Sequence, residues 1–438
     1  MASNLMETVE EKLLPVAAKI SGNKVLIAIR DGITLALPLI IVGSLFMVVG
    51  NFPIEAWTKL LTDSGAINYL NKITNGSFNI MALIAAFGVA RSYAKQFKVD
   101  DVSAGVISLA AFLILTPSIF SGDKTPLEGW ALSYMGSKGL FVAIIEGVLS
   151  ARIFAWFIQK DIRIKMPEAV PPAVADSFSA LIPAAAILTL WGAVYAICDV
   201  AGISNIHDVL MIVLGGPLSL LGATLPGTII VVGLNSLFWF LGIHGGNIVN
   251  PIFQPIWLMN AQENLTAFQA GQSLPHIVTQ PFMDNFVYMG GGGATLGLVI
   301  VIALVAARAN SSKITKTIAP LTLTPGIFNI NEPAMFGLPI VMNVSLLIPF
   351  VLVPMVNVEI CYTAMATGIV PHTTGVIVSW TMPPIISGFL TTNSIMGSVL
   401  QAVCIVIDAL FYLPFFLTVE KQNKAEEAGE SLEELASE

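Results

Sequence analysis

Apolar stretches approaching the thickness of a lipid bilayer recur along the whole chain, and they leave few options for its fold. A helix needs about 20 predominantly apolar residues to cross the hydrocarbon core. Such stretches occupy residues 32–50, 104–120, 139–157, 177–197, 294–307, 341–355 and 399–417. Composition agrees: 55% of the 438 residues are apolar and 11% are charged, where a soluble globular domain carries about 25% charged residues. Mean hydropathy is +0.82. The expected fold class is an all-α polytopic membrane protein.

The opening "MASNLMETVEEKLLPVAAKISGNKVLIAIRDG" is amphipathic and of mixed charge, and the first apolar run begins near Leu26. This is not the pattern of a cleavable signal peptide. Lys and Arg are retained on the cytoplasmic side of a membrane protein. Lys59, Lys72, Lys124 and Lys138 fall in alternate loops, and the other 16 of the 20 basic residues cluster near 12–30, 91–98, 152–165, 308–316 and 421–424. With both termini cytoplasmic, those 16 share one face. The net charge of −8 comes largely from the tail "EEAGESLEELASE", read as a solvated end. Cys198, Cys361 and Cys404 lie scattered in apolar segments without a CxxC pattern, and are read as buried, inert thiols.

The two halves are organised differently. The first alternates apolar spans with polar loops and reads as about five membrane helices ending near Asp199. The prolines of "QKDIRIKMPEAVPPAVADS" preclude a continuous helix there. In the second half, residues 166–307 contain no Lys or Arg, yet Gly and Pro interrupt them at short intervals. "LGIHGGNIVNPIFQPIW", "PFMDNFVYMGGGGATLGL" and "LTLTPGIFNINEPAMFGLPIVMN" are too interrupted for plain spans and too apolar for hydrated loops. Irregular backbone survives at membrane depth only when buried in protein or lining a watery cavity. Discontinuous helices and re-entrant hairpins near the midplane mark substrate sites in transporters. The expected organisation is a cytoplasmic segment over 1–26, a membrane scaffold over 27–200, a site-bearing membrane half over 201–419 and an acidic tail over 420–438.

Within "NINEPAMFGLP" (residues 329–339), Glu332 is a carboxylate beside a helix breaker, Pro333. An ionised carboxylate at the centre of a membrane helix costs about 2.5–3.5 kcal/mol on insertion scales, so it needs a partner or a cavity. A functional carboxylate at a reversing tip is weighed against a structural one capping a half-helix. His244, in "GIHGGN", is bracketed by Gly242, Gly245 and Gly246, which permit close approach of backbone to a ligand. It reads equally as a hydrogen-bonded core histidine. His207 and His276 lie in polar stretches and are read as loop residues; His372 sits at the end of a span. Trp380, in "SWTMPP", is either an interfacial anchor or an aromatic platform for a sugar ring. "GGGGATLGL" lacks the lysine of a phosphate-binding loop and reads as close packing. A carboxylate, an imidazole, amides and an aromatic with few cations suit a neutral polyhydroxylated solute. Nothing implies a cofactor, a metal ion or nucleic acid.

Through "LFWFLGIHGGN", "MGGGGATLGL", "NINEPAMFGLPI" and the opening "EEKLLPVAAKISGNKVLIAIRDGI", the chain resembles the enzyme IIC of bacterial phosphotransferase systems. The likeness is to the lactose/cellobiose/diacetylchitobiose branch, and it runs to about Thr418. It implies a homodimer of ten-helix subunits in the bacterial cytoplasmic membrane. The N-terminal half would form the interface, and the C-terminal half would carry the sugar site with two re-entrant hairpins. It also implies group translocation: a disaccharide is bound outside and its C6 hydroxyl is phosphorylated by the phosphocysteine of a IIB protein, itself charged by IIA. No IIB or IIA segment is recognised in the sequence, so a separate chain is the expected donor.

By this resemblance Glu332 is the general base, and His244 positions the hydroxyl or stabilises phosphoryl charge. Asn247 and Asn331 belong to the same motifs, and Trp380 is the ring platform. Val344 stands where a proline is usual, and one glycine of "GGGG" where serine is usual. The competing expectation is a proton-coupled secondary sugar transporter with Glu332 as proton carrier. Which disaccharide is carried stays open at this level.

Overall fold

The computed structural model describes residues 14–428 except 51, 53, 121–126, 168, 204 and 339. Readings that involve Lys12, Lys124, Pro339 and the tail beyond residue 428 lie outside the described residues. The described chain forms two compact units, one from Ile20–Leu220 with Asn250–Met259, the other chiefly from Leu221–Val249 and Asn260–Glu438.

Among the described residues, six helices are long and apolar enough to cross a membrane: Lys24–Met47, Ala66–Lys95, Ser137–Gln159, Pro172–Val200, Ser345–Ala366 and Ile395–Ala428. The count becomes seven if the broken pair Ile206–Gly222 and Leu225–Phe240 is one span. The architecture is therefore that of a multi-pass helical membrane protein.

The first unit packs α1 (Lys24–Gly50) against α2 (Met81–Lys95), with α3 (Asp101–Leu115), α4 (Leu140–Gln159) and α5 (Leu181–Val200) around them. In lipid the hydrophobic effect gives helices little reason to associate, so close backbone approach through small residues carries much of the contact. Gly32 and Gly88 meet where α1 crosses α2. A Cβ on Gly88 would stand 2.9 Å from both the Cα and the carbonyl oxygen of Gly32.

The apolar run 104–120 ends early as a helix. Thr116 is extended ahead of Pro117, as the residue before a proline tends to be. Ser118–Phe120 (β1) then pairs antiparallel with Leu127–Trp130 (β2), so a small hairpin is added to an otherwise helical fold. The run 139–157 hides a charged side chain. Glu146 on α4 is 1% exposed and accepts hydrogen bonds from Ser108 (2.9 Å) and Ser150 (2.8 Å). Trp191 donates to the same Ser150 at 2.8 Å, so this polar cluster ties α3, α4 and α5.

Basic residues gather at one end of the unit. Arg91 pairs with Asp101 at 2.9 Å, and Lys24 and Arg152 both approach the ring of Phe97, at 4.1 and 5.1 Å. Just beyond α4, hydrogen bonds from Lys165 and Arg163 hold the Asp161 carboxyl below its ordinary pKa. His207 corrects a sequence expectation. It lies in α6 (Ile206–Leu210) and is 1% exposed, with its ring 5.6 Å from Phe112 and 5.0 Å from Tyr134. Its polar neighbours Asn205 and Asp208 made the stretch look like a loop. Asn205 instead caps the helix, and Asp208 accepts from the Tyr134 hydroxyl at 3.2 Å. His276 is a loop residue as expected, with Nε2 2.7 Å from Glu263.

The second unit contains α7 (Leu225–Phe240), the later part of α8 (Gly246–Gln269), α9 (Leu296–Ala306) and α10 (Lys313–Ile327). These are followed by α11 (Glu332–Gly337), α12 (Val344–Ala366), α13 (Ile386–Thr392) and α14 (Ile395–Ala428). Phe240, Leu298, Ile302, Met335, Leu346, Phe350 and Phe416 share its apolar core. Cys361 on α12 and Cys404 on α14 are both buried, with their sulfurs 3.5 Å apart, so two thiols scattered in sequence are neighbours in space.

The start of α10 is capped from the far end of the chain. Glu420 is 3% exposed and accepts from the backbone N–H of Ser312 (2.7 Å), the Ser312 hydroxyl (2.8 Å) and Thr315 (2.5 Å). Glu427 accepts from the N–H of Lys313 at 2.6 Å. Carboxylates at a helix N-terminus satisfy orphan donors and oppose the positive end of the macrodipole. The acidic tail is thus more than a solvated end, since its first part continues α14 and Glu427 engages α10.

Two outcomes follow for the purified protein in detergent. Gly88→Ala forces apart the α1–α2 crossing, and it is expected to cost about 1–3 kcal/mol, read as a lower thermal unfolding temperature. Glu420→Ala leaves buried donors at Ser312 and Thr315 unmatched and is expected to cost about 1–3 kcal/mol, with Glu420→Gln recovering part of the loss.

Candidate functional site

The segment 328–331 reverses the chain between α10 and α11 in four residues. Asn329 adopts the left-handed conformation, with φ of 61°. The N–H of Asn329 donates to Gly326 (3.0 Å) and that of Ile330 donates to Pro325 (3.0 Å). This pair of bonds is the Schellman closure of a helix C-terminus, and Asn is one of the few residues other than Gly that tolerates its backbone angles. Asn331 then starts α11, its carbonyl accepting from Ala334 (3.0 Å) and Met335 (2.9 Å). Pro333 falls in the first turn of that helix, where its missing N–H costs nothing. Asn329 therefore ends one helix, and the proline read from the sequence as a helix breaker begins the next.

The side chain of Asn329 holds two other segments to this turn. Its Oδ1 accepts from the N–H of Gly290 at 2.7 Å. Its Nδ2 donates to the carbonyls of Trp380 (2.7 Å) and Met382 (3.1 Å). Asn331 Nδ2 donates to the Gly292 carbonyl at 3.0 Å, and the Tyr412 hydroxyl donates to the Gly293 carbonyl at 2.7 Å. The glycine loop is thus gripped from three sides.

Its sequence is demanded by that grip. Gly290, Gly291 and Gly293 all have positive φ, and a Cβ on Gly291 would lie 2.8 Å from the Asn331 side chain. A Cβ on Gly292 would lie 2.6 Å from Trp239 Nε1, so even a serine there requires the indole to move. The N–H groups of Gly290, Gly291 and Ala294 are already committed within the protein. A phosphate cradle is accordingly not what these glycines build. The loop is a packing surface, as its sequence context suggested.

The glycine loop also relates the two motif residues that the sequence paired. Trp239, packed on Gly292, sets its ring 4.1 Å from that of His244. Glu332, next to Asn331, is exposed, and among the described residues no hydrogen bond or ion pair reaches its carboxylate. His244 is likewise exposed, and Trp380 is 48% exposed although its carbonyl is fixed by Asn329. Asn331, at 3% exposure, faces inward and serves the loop. Asn247 is half-buried in the first turn of α8 and joins the arrangement through its backbone, its N–H donating to the His244 carbonyl at 3.0 Å.

The outcome is a carboxylate, an imidazole and an indole held open on a base of buried amides; Glu332 and Trp380 lie in a stretch without Lys or Arg from 317 to 420, and His244 in another from 166 to 307. Such a set can accept a proton, exchange hydrogen bonds with hydroxyls and cover an apolar face. The residues that fix the geometry include three the sequence did not single out as site residues: Asn329, Trp239 and Tyr412. Asn329 could have been found from its place just past a helix end, and Trp239 from its place in "LFWFLGIHGGN". Tyr412 gives no local signal.

Comparison with known proteins bears on what this set does. A family model described as "Phosphotransferase system, EIIC" matches residues 30–354. The lichenan permease IIC component of Bacillus subtilis (strain 168) is 44% identical over 432 residues, covering 96% of this chain and 95% of that one. The cellobiose-specific EIIC component of Geobacillus stearothermophilus is 44% identical over 431 residues, covering 95% of each. The crystal structure of ChbC, the IIC component of the N,N'-diacetylchitobiose-specific phosphotransferase system, superposes with a TM-score of 0.90. It is 41% identical, and the match covers 97% of this chain and all of that one. With the apolar helices and the motif geometry already described, these likenesses settle the kinship: the chain belongs to the EIIC family of the phosphotransferase system.

Proposed function

We propose that the chain is the sugar-translocating IIC subunit for a neutral disaccharide of the cellobiose or diacetylchitobiose class, and that it presents the C6 hydroxyl for phosphorylation by a separate IIB protein. The observation that carries this reading is the open Glu332–His244–Trp380 set around the glycine loop, in a chain this similar to cellobiose- and diacetylchitobiose-specific EIIC proteins. Trp380 supplies a ring platform. The motif amides of Asn247 and Asn331 complete the site, Asn331 by holding the loop that carries it.

In this mechanism Glu332 takes the proton of the C6 hydroxyl as its oxygen attacks the phosphorus of the IIB phosphocysteine. The P–S bond breaks and the cysteine thiolate leaves, while His244 orients the hydroxyl or balances charge on the phosphoryl oxygens. The sugar phosphate bears roughly two negative charges. A segment without Lys or Arg holds such an anion poorly, which favours release into the cytoplasm and opposes return.

The same reading takes the subunit as a homodimer of about ten helices, with residues 27–200 at the interface and 201–419 carrying the sugar. Its termini are cytoplasmic and its membrane is the bacterial inner membrane. Two short helical segments support re-entrant hairpins. At 1.5 Å per residue, α10 with 15 residues and α9 with 11 are about 22 and 16 Å long, short of a hydrocarbon core of about 30 Å.

Membrane vesicles test the proposal. With IIB, IIA and a phosphoryl source present, cellobiose or diacetylchitobiose is expected to accumulate as the 6-phosphate, and a protonophore should leave the initial rate unchanged. Unmodified sugar inside, together with loss of uptake on collapsing the proton gradient, would establish the proton-coupled reading instead. Glu332→Gln is expected to bind sugar within about threefold of wild type and to lose about 10²- to 10⁴-fold in phosphorylation, the usual contribution of a general base. Normal turnover in that variant removes Glu332 from the role.

A further inference from the structure

The second unit holds a carboxyl group that the proposed sugar chemistry does not use. Asp408 lies within the 34-residue helix α14 and is 0% exposed. Asn357, on α12, is also 0% exposed, and its Nδ2 donates to Asp408 Oδ2 at 3.1 Å. Each side chain then has one oxygen left over. Asp408 Oδ1 and Asn357 Oδ1 both lack a hydrogen-bond partner among the described residues. Both atoms are acceptors whenever the carboxyl is ionised, so neither can satisfy the other.

The other groups around Asp408 do not relieve this. Cys404 lies one turn before it on α14 and faces Cys361 of α12; Tyr412 lies one turn after and spends its hydroxyl proton on Gly293. From α9, the backbone at Gly297 packs directly on the Asp408 backbone and Cβ. Among the described residues no Lys, Arg or His pairs with Asp408. An uncompensated carboxylate in a membrane interior is costly.

We propose that Asp408 and Asn357 form a buried proton-binding site, in which one proton on Asp408 Oδ1 is donated to Asn357 Oδ1. That proton closes a ring of two hydrogen bonds between an acid and an amide, and both orphan oxygens are satisfied at once. The ligand of the site is the proton itself, and the bound state is electrically neutral. The clasp fixes α12 to α14 directly beneath the glycine loop. Asn357 Nδ2 also lies 3.5 Å from the Val287 carbonyl at the loop's entrance, and Tyr412 holds Gly293 from the same helix face. Loss of the proton would leave a bare charge and two facing acceptors under the loop that carries Asn329 and Asn331 contacts.

Infrared spectroscopy of the full chain in lipid nanodiscs tests this without assuming any sugar. The wild-type minus Asp408→Asn difference spectrum at neutral pH is expected to show a carboxylic-acid C=O band above the amide region that shifts down in D2O. The buried Glu146 contributes equally to both proteins and cancels. Asp408→Asn retains a neutral partner for Asn357 and is expected to unfold within about 2 °C of wild type, whereas Asp408→Ala unfolds about 5 °C lower. A difference spectrum with a carboxylate band and no acid band overturns the proposal. So does a sodium-dependent rise in wild-type unfolding temperature that Asp408→Asn abolishes, because the site would then hold a cation in place of a proton.

Discussion

Asn329 connects three chain segments that are far apart in sequence: the turn after α10, the glycine loop at Gly290 and the backbone at Trp380 and Met382. The connection works because its backbone sits in the left-handed region, which aims the amide away from the helix it terminates. An amide offers an acceptor and two donors in one plane, and here all three are used. In a medium with little water to compete, each such bond is electrostatically stronger than on a soluble surface, and each omission is more expensive. With the supports buried, Glu332 and Trp380 can remain open without the tip losing its shape.

The two units solve the membrane problem differently. In the first, close contact between small residues such as Gly32 and Gly88 brings helices together, and Glu146 is hydrogen-bonded by the hydroxyls of Ser108 and Ser150 within a closed polar cluster. In the second, interrupted helices expose backbone that must be satisfied by side-chain amides and hydroxyls. Asn329, Asn331, Gln401 and Tyr412 are all spent in this way, and Gln401 alone receives the N–H groups of Ile385 and Gly388 while donating to Asn285. Irregular backbone is what lets functional groups converge, and buried amides are the condition for it.

Much of this was legible in the residues. Repeated apolar stretches announced a helical membrane protein, and "NINEPAMFGLP", "GIHGGN" and "GGGG" marked where regular helix would fail. What misled was local polarity. Asn205 and Asp208 made His207 look like a loop residue, although a helix turns each successive side chain by about 100° and His207 faces inward. The acidic tail looked merely solvated because nothing near Glu427 in sequence needs a carboxylate; its partner, the N-terminus of α10, is more than a hundred residues away. Glu146 escaped notice because one acid among apolar neighbours hardly changes the character of a segment.

Sequence alone determined the solvent, the fold class, the break points and the chemical kind of the exposed groups, since these follow from local composition and from what proline, glycine and asparagine allow a backbone to do. It also carried the motifs on which membership of the EIIC family could be recognised. The tertiary structure decided which groups are presented and which are consumed. Asn331 turned inward to Gly292 while Glu332 beside it stayed open, Cys361 met Cys404, and Asp408 met Asn357. Those outcomes depend on pairings between segments tens of residues apart, and no local pattern encodes which of two adjacent polar side chains will be needed by a distant carbonyl.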